Sequence, residues 1–199
     1  MSNDKKIIGL TGPIGSGKNE VAKILRRHGA HIIEADEIGH KLFVPMSDIW
    51  CKIVSAFGSK VLMRGGAINR HKLGQIVFSD PEKLKTLNLI THPKIKEAIE
   101  AEIKDKKGVV VINAALPQLF EELVDKTVVV AASKEKRLKR LLKQGLSKAE
   151  AEKRIKSQIS QKDYLKIADV VIRNDGTIAQ LKRLMKSIFQ RKWKQLQYS

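Results

Sequence analysis

Two periods of apolar and polar positions run through this chain. The stretch KKIIGLTG is a short apolar run that ends in a glycine turn, which predicts a buried first strand. In NEVAKILRRHG, Val21, Ile24 and Leu25 recur at helical spacing until Gly29, which predicts a helix and its stop. AHIIEAD returns to strand character and carries Glu34 and Asp36, two apart on one face, at its C-terminal end. Strand, glycine loop, helix and strand in this order form a βαβ unit with parallel strands.

From about 37 to 107 the pattern is helical. Ser47 and Gly58 bracket one helix, and Asp80-Pro81 opens another. A further helix resumes after Pro93 and ends at Gly108. GVVVINAALP and KTVVVAAS are continuously apolar, as central parallel strands are. Two basic helices split at Gly145 follow, the second capped by Ser147, then a fifth strand in ADVVIRNDG. A basic amphipathic helix over about 177–196 closes the chain, with Leu181, Leu184, Ile188 and Leu196 on its docking face.

Composition narrows this picture little. The 199 residues suit one α/β domain with a small insertion, and 42% hydrophobic residues suffice for a core. A net charge of +18 favours anionic partners, yet a lysine-rich surface explains it equally. The single cysteine, Cys51, is expected to be a buried, inert thiol, and it leaves no internal disulfide. No leader is expected at the N-terminus, and no apolar stretch is long enough to cross a bilayer. A cytoplasmic protein is expected.

The chemistry concentrates in Gly12-Pro13-Ile14-Gly15-Ser16-Gly17-Lys18-Asn19. It fits the phosphate-loop pattern of glycine, four free positions, glycine and lysine, but Asn19 stands where serine or threonine closes the pattern. Gly12, Gly15, Ser16 and Gly17 turn backbone N–H groups around a phosphate, and the helix beginning near Gly17 adds its positive end. Lys18 reaches the β- and γ-phosphates. Asn19 lacks the hydroxyl that ligates Mg²⁺ but offers a neutral oxygen, which suits a hard cation. Glu20 contributes a backbone N–H. Glu34 faces the loop from a strand end, where ligands of open α/β sheets sit, and can take a proton or help hold the metal. Asp36 either joins it or caps the following helix.

Along nearly its whole length the chain resembles the dephospho-CoA kinases, P-loop kinases of the nucleoside-monophosphate-kinase type. IIGLTGPIGSGK, IIEADEIGHKL, INRHKLGQIVFSDPEKLKTLNLITHPKI, LPQLFE, KRLKRLL, KSQIS and ADVVIRNDGT carry the likeness by their order and spacing. The resemblance implies a three-layer P-loop NTPase fold of the α/β class with a five-stranded parallel sheet. It divides the chain into a core of about 1–36 and 108–199, a helical acceptor-binding insertion of about 37–107, and a basic lid of about 134–160. It implies ATP and Mg²⁺, with dephospho-CoA phosphorylated at its ribose 3′-hydroxyl. Carried over, Lys18, Glu34 and Arg140 are catalytic, with Arg140 meeting phosphates from the lid. Asn174 falls near the adenine end, and Asp36, Arg70 and His92 fall near the acceptor. Leu116, Leu119 and Phe120 read as core. A monomer or small homo-oligomer follows, with no membrane partner.

The chain departs from the family at three places. Asn19 replaces a hydroxyl residue, Glu34 an aspartate, and Gln144 a second lid arginine. Either the longer Glu34 arm compensates for Asn19, or transfer has decayed. Two other readings stay open: a related kinase with another nucleotide-like acceptor, and a non-catalytic nucleic-acid binder that uses Phe189 and Trp193 among basic residues.

Overall fold

Among the described residues, 5–188 in a computed structural model, five strands form one all-parallel sheet. In chain order the first elements are β1 (Lys5–Thr11), α1 (Lys18–Arg27), β2 (His31–Glu34), α2 (Ala35–Lys41), α3 (Asp48–Phe57), α4 (Arg70–Val77) and α5 (Pro81–Lys104). Then come β3 (Gly108–Asn113), β4 (Lys126–Ala131), α6 (Lys134–Lys143), α7 (Lys148–Lys156), α8 (Gln161–Lys166), β5 (Val170–Arg173) and α9 (Ile178–Ile188). The chain divides into two compact units. One comprises the residues up to Glu34 and from Glu102 onward; the other is Ala35–Ala101.

The first unit holds the sheet, ordered β2-β3-β1-β4-β5. The second half of β1 and nearly all of β3 are buried, which is why Ile7–Leu10 and Val109–Ile112 are apolar runs. Alternate residues serve opposite faces. Ile8 and Leu10 of β1 join a core with Val21, Ala22, Ile24 and Leu25 of α1 and Leu181 and Met185 of α9. Gly9, between them, faces the other way, under the ring of the fully buried Phe120. Within the described residues the docking face of α9 is Leu181, Met185 and Ile188; Leu184 is exposed, contrary to expectation, and Leu196 lies outside the described residues. Leu116, expected in the core, is also exposed, while Leu119 is buried with Phe120. The basic stretch after α6 breaks at Gly145, where φ is +90°. α7 then starts in a capping box, with Ser147 and Glu150 satisfying each other's backbone N–H.

The second unit is helical, with Ile49, Ile53, Phe57, Val61, Ile68, Leu73 and Val77 as its core. The Ser47 hydroxyl accepts from Trp50 N and starts α3. Ile49, Ile53 and Phe57 recur every four residues and face inward. Cys51 therefore lies on the outer face and is exposed, which corrects its expected burial. The expected break at Pro93 is absent, because α5 runs through it. Pro93 lacks the N–H that would bond Leu89, and that residue is exposed, so water can serve its carbonyl. β2 stops at Glu34 and α2 begins at Ala35, so Asp36 lies in a helical first turn rather than on an extended strand with Glu34.

The close approach of Gly9 and Phe120 yields a stability prediction. A Cβ at Gly9 would run into the Phe120 ring, which has no free volume to enter. Gly9→Ala is expected to cost about 1–3 kcal/mol in urea unfolding. Adding Phe120→Leu to Gly9→Ala should recover part of that loss, a non-additive pair.

Candidate active site

The loop between β1 and α1 is held from outside by three elements. Ser16 N donates to the Pro13 carbonyl at 3.0 Å and closes the turn. Arg140 of α6 donates through Nη1 to the carbonyls of Gly15 (3.1 Å) and Ser16 (3.0 Å), and through Nη2 to Asn174 O (2.6 Å). Asn174, buried just after β5, donates from Nδ2 to Ser16 O at 2.8 Å. From the turn after α7, Gln158 Oε1 accepts from Ile14 N at 2.6 Å. The outer carbonyls are thereby occupied, an arrangement that leaves the loop's other N–H groups for an anion.

Two loop glycines are required sterically. Gly15 has φ +77°, and a Cβ there would lie 2.9 Å from Arg137 O, so α6 packs directly on the loop. Gly17 has φ +95°, and a Cβ there would collide with the Asn174 amide. Gly12 also has positive φ.

Inside the loop, one residue joins the reactive side chains. Asn113 ends β3 and is 2% exposed. Its Oδ1 accepts from Lys18 Nζ at 2.6 Å. Its Nδ2 donates to Glu34 Oε2 at 2.5 Å and, at a longer 3.4 Å, to Asn19 Oδ1. The register brings them together, since Asn113 pairs with Leu10 on one side and with Glu34 on the other. Paired residues of parallel neighbours point to the same face. The second oxygen of Glu34 meets Arg26 Nη2 at 3.2 Å in a half-exposed pair.

A phosphate loop followed by this order of strands narrows the fold family, and comparisons decide it. The family model for dephospho-CoA kinase matches residues 6–180. The chain belongs to the dephospho-CoA kinase family. It is 42% identical to a dephospho-CoA kinase of Carboxydothermus hydrogenoformans, over 94% of this chain and 95% of that one. A solved dephospho-CoA kinase from Campylobacter jejuni is 32% identical, with a TM-score of 0.68, over 96% of this chain and 98% of that one. A Thermus thermophilus protein of known structure is 31% identical, with a TM-score of 0.77, over 94% and 97%. Membership makes the chain a kinase with the P-loop kinase fold, and ATP the phosphoryl donor its family uses.

The remaining residues singled out in the sequence are dispersed. Gly12, Gly15, Ser16, Gly17, Lys18, Asn19, Glu34, Arg140 and Asn174 all belong to the first unit and gather around the loop. Glu20 turns to Lys23 on the surface at 2.8 Å. Asp36, Arg70 and His92 lie in the second unit: Asp36 exposed on α2, Arg70 exposed at the start of α4, and His92 half-buried in α5. Burial, and then the charge of Lys96, hold the His92 imidazole below its ordinary 6.5. Asn113 and Gln158 were not singled out in the sequence. The available signal for Asn113 was one polar residue closing an otherwise apolar strand. No helix among the described residues is long and apolar enough to cross a membrane.

Two predictions follow from these contacts. Asn113→Leu keeps the shape but strips Lys18 and Glu34 of a shared partner. It should cost about 1–3 kcal/mol in unfolding free energy and slow phosphotransfer about tenfold or more, and wild-type values in both would show the amide dispensable. For His92, a lowered folded pKa means that the unfolded chain binds more protons below 6.5. Stability therefore falls as pH drops through that range. His92→Gln should flatten the decline in urea midpoint between about pH 7.5 and about pH 5.5, and the imidazole should titrate below 6.5 by NMR.

Proposed function

We propose that this chain transfers the γ-phosphoryl group of ATP to the ribose 3′-hydroxyl of dephospho-CoA, giving coenzyme A and ADP. The observation that carries this reading is the bonded path Lys18–Asn113–Glu34 at the mouth of the phosphate loop. It ties the phosphate-binding cation and the carboxylate into one unit despite both departures from the family pattern.

Each residue then has a task. The loop N–H groups and Lys18 orient the donor's phosphates and offset charge that grows on the bridging oxygen. Glu34 accepts the proton of the attacking hydroxyl as its oxygen bonds to the γ-phosphorus and the bond to the bridging oxygen breaks, releasing ADP. Asp36, Arg70 and His92 are assigned to acceptor binding on the family resemblance. Arg140, whose donors are committed to backbone carbonyls, fastens α6 and the Asn174 turn to the loop. A hollow of about 300 Å³ lined by Arg173, Asn174, Asp175 and Gly176 adjoins that turn and suits the nucleoside end.

Mg²⁺ fits the donors present. Asn19 and Glu34 offer oxygen only, and no group of three or more His, Cys, Asp or Glu among the described residues forms a metal cage. That is the pattern for an ion held largely by phosphates and water. Asn19 and Glu34 would hold it. When bound, it neutralises phosphate charge. Asn113 lies between Asn19 and Glu34, which supports the compensated reading over decay. The aromatic residues of the nucleic-acid reading, Phe189 and Trp193, fall outside the described residues, and the net charge of +18 that also supports it is explained equally by a solvated lysine-rich surface. The proposed setting is the cytoplasm, as a monomer or small homo-oligomer.

A coupled ADP-release assay with ATP, Mg²⁺ and dephospho-CoA tests this, with coenzyme A identified by mass. ADP and coenzyme A should form together. Glu34→Gln is expected to cost about 10²–10⁴-fold in kcat, and Lys18→Ala about a hundredfold or more. ATP binding without acceptor-dependent turnover would refute the assigned acceptor.

A further inference from the structure

Of the residues packed against the loop, Arg137 stands apart because the network described above does not use it. It lies on α6, one turn before Arg140, and is only 6% exposed. Among the described residues nothing accepts from its buried Nε. An arginine this deep ordinarily has carboxylate or carbonyl partners, since an unpaired buried charge is costly. Its desolvation is strong enough to depress even a guanidinium, and the neighbouring Tyr164 only partly offsets that.

The surroundings of Arg137 indicate what is missing. Its backbone packs on Gly15 at the tip of the phosphate loop. Tyr164, beside it, is fully buried and donates to Ala115 O at 2.8 Å. Thr11, the last residue of β1, donates to the same carbonyl at 3.3 Å. Ala115 follows Asn113, the partner of Lys18, by two residues. Arg137 therefore lies, on α6, beside the tip of the phosphate loop and near a tyrosine that is tied to the segment after β3. Within the loop, the hydroxyl of the fully buried Ser16 also lacks a partner among the described residues. Gln144 leaves the far end of the same basic segment without an arginine.

We propose that Arg137 is a second phosphate-binding cation of this loop, beside Lys18 of the motif, and that the polyphosphate of the donor supplies the acceptor its Nε lacks. Arginine suits the role because its planar fork donates to phosphate oxygens at two points. The inference rests on the phosphotransferase reading and adds a residue that the loop motif does not contain. It implies that the free protein holds a buried guanidinium N–H without an acceptor, which ligand binding relieves. Truncating Arg137 should then have opposite effects on the free and the liganded protein, which a purely structural arginine would not show.

The test measures binding of inorganic tripolyphosphate and of ATP by calorimetry, with thermal unfolding of each variant alone and with tripolyphosphate. The variants are Arg137→Gln, Arg137→Met, Arg137→Lys and, as a reference, Lys18→Ala. Arg137→Met without ligand should unfold no earlier than the wild type. Both Arg137→Gln and Arg137→Met should bind tripolyphosphate about tenfold or more weakly, and Arg137→Lys should recover part of the affinity. Wild-type affinity in Arg137→Gln and Arg137→Met, with Lys18→Ala weakened, would overturn the role of Arg137 and leave the phosphate loop intact. No binding of either ligand by the wild type would overturn both readings.

Discussion

The parallel register of β2, β3 and β1 is the constraint on which this site depends. It brings Glu34, Asn113 and Leu10 to one level at the C-terminal edge of the sheet. From that level the chain leaves β1 into the phosphate loop, and Lys18 returns to bond the Asn113 amide. A slip of one residue in β3 would turn Asn113 to the opposite face and separate the cation from the carboxylate. The apolar run Val109–Ile112 resists such a slip, because it is buried on both sides of the sheet and each residue has a fixed neighbour.

Asn113 also explains how two unusual residues coexist. A neutral amide can accept from a lysine with one end and donate to a carboxylate with the other. An aspartate in its place could not donate to Glu34 and would repel it. With a neutral residue at 113 and another at 19, the negative charge at this edge is carried by Glu34, whose longer arm reaches Asn113 across the strand pair. The three positions form one electrostatic arrangement, and their effects on activity should not add.

The outer side of the loop is organised differently. There the contacts run from side chains to backbone: Arg140 and Asn174 to carbonyls, and Gln158 to an amide. These hold the loop in a shape that its glycines permit but do not impose. Arg137, packed against Gly15, is the exception, because among the described residues its buried Nε has no acceptor. A protein whose substrate carries several negative charges can tolerate such a site, since binding the substrate completes it.

Much of this was legible before any coordinates. Local period and turn chemistry determined the five strands, the loop with Gly12 and Lys18, the Ser47 and Ser147 caps and the breaks at Gly29, Gly58 and Gly145, because each depends on residues close in sequence. Local rules also misled. Pro93 reads locally as a boundary, although α5 tolerates it at an exposed turn. Strand periodicity alone carries Asp36 past the end of β2 at Glu34, and helical spacing alone turns Cys51 and Leu184 inward although the packed faces lie one or two residues away. What only the tertiary structure decided is who meets whom across long separations. Asn113 joins Lys18 and Glu34, Gln158 finds Ile14, and Arg137 is left buried beside the loop. These pairings come from sheet register and from helices returning over the sheet, which no periodicity within a single segment encodes.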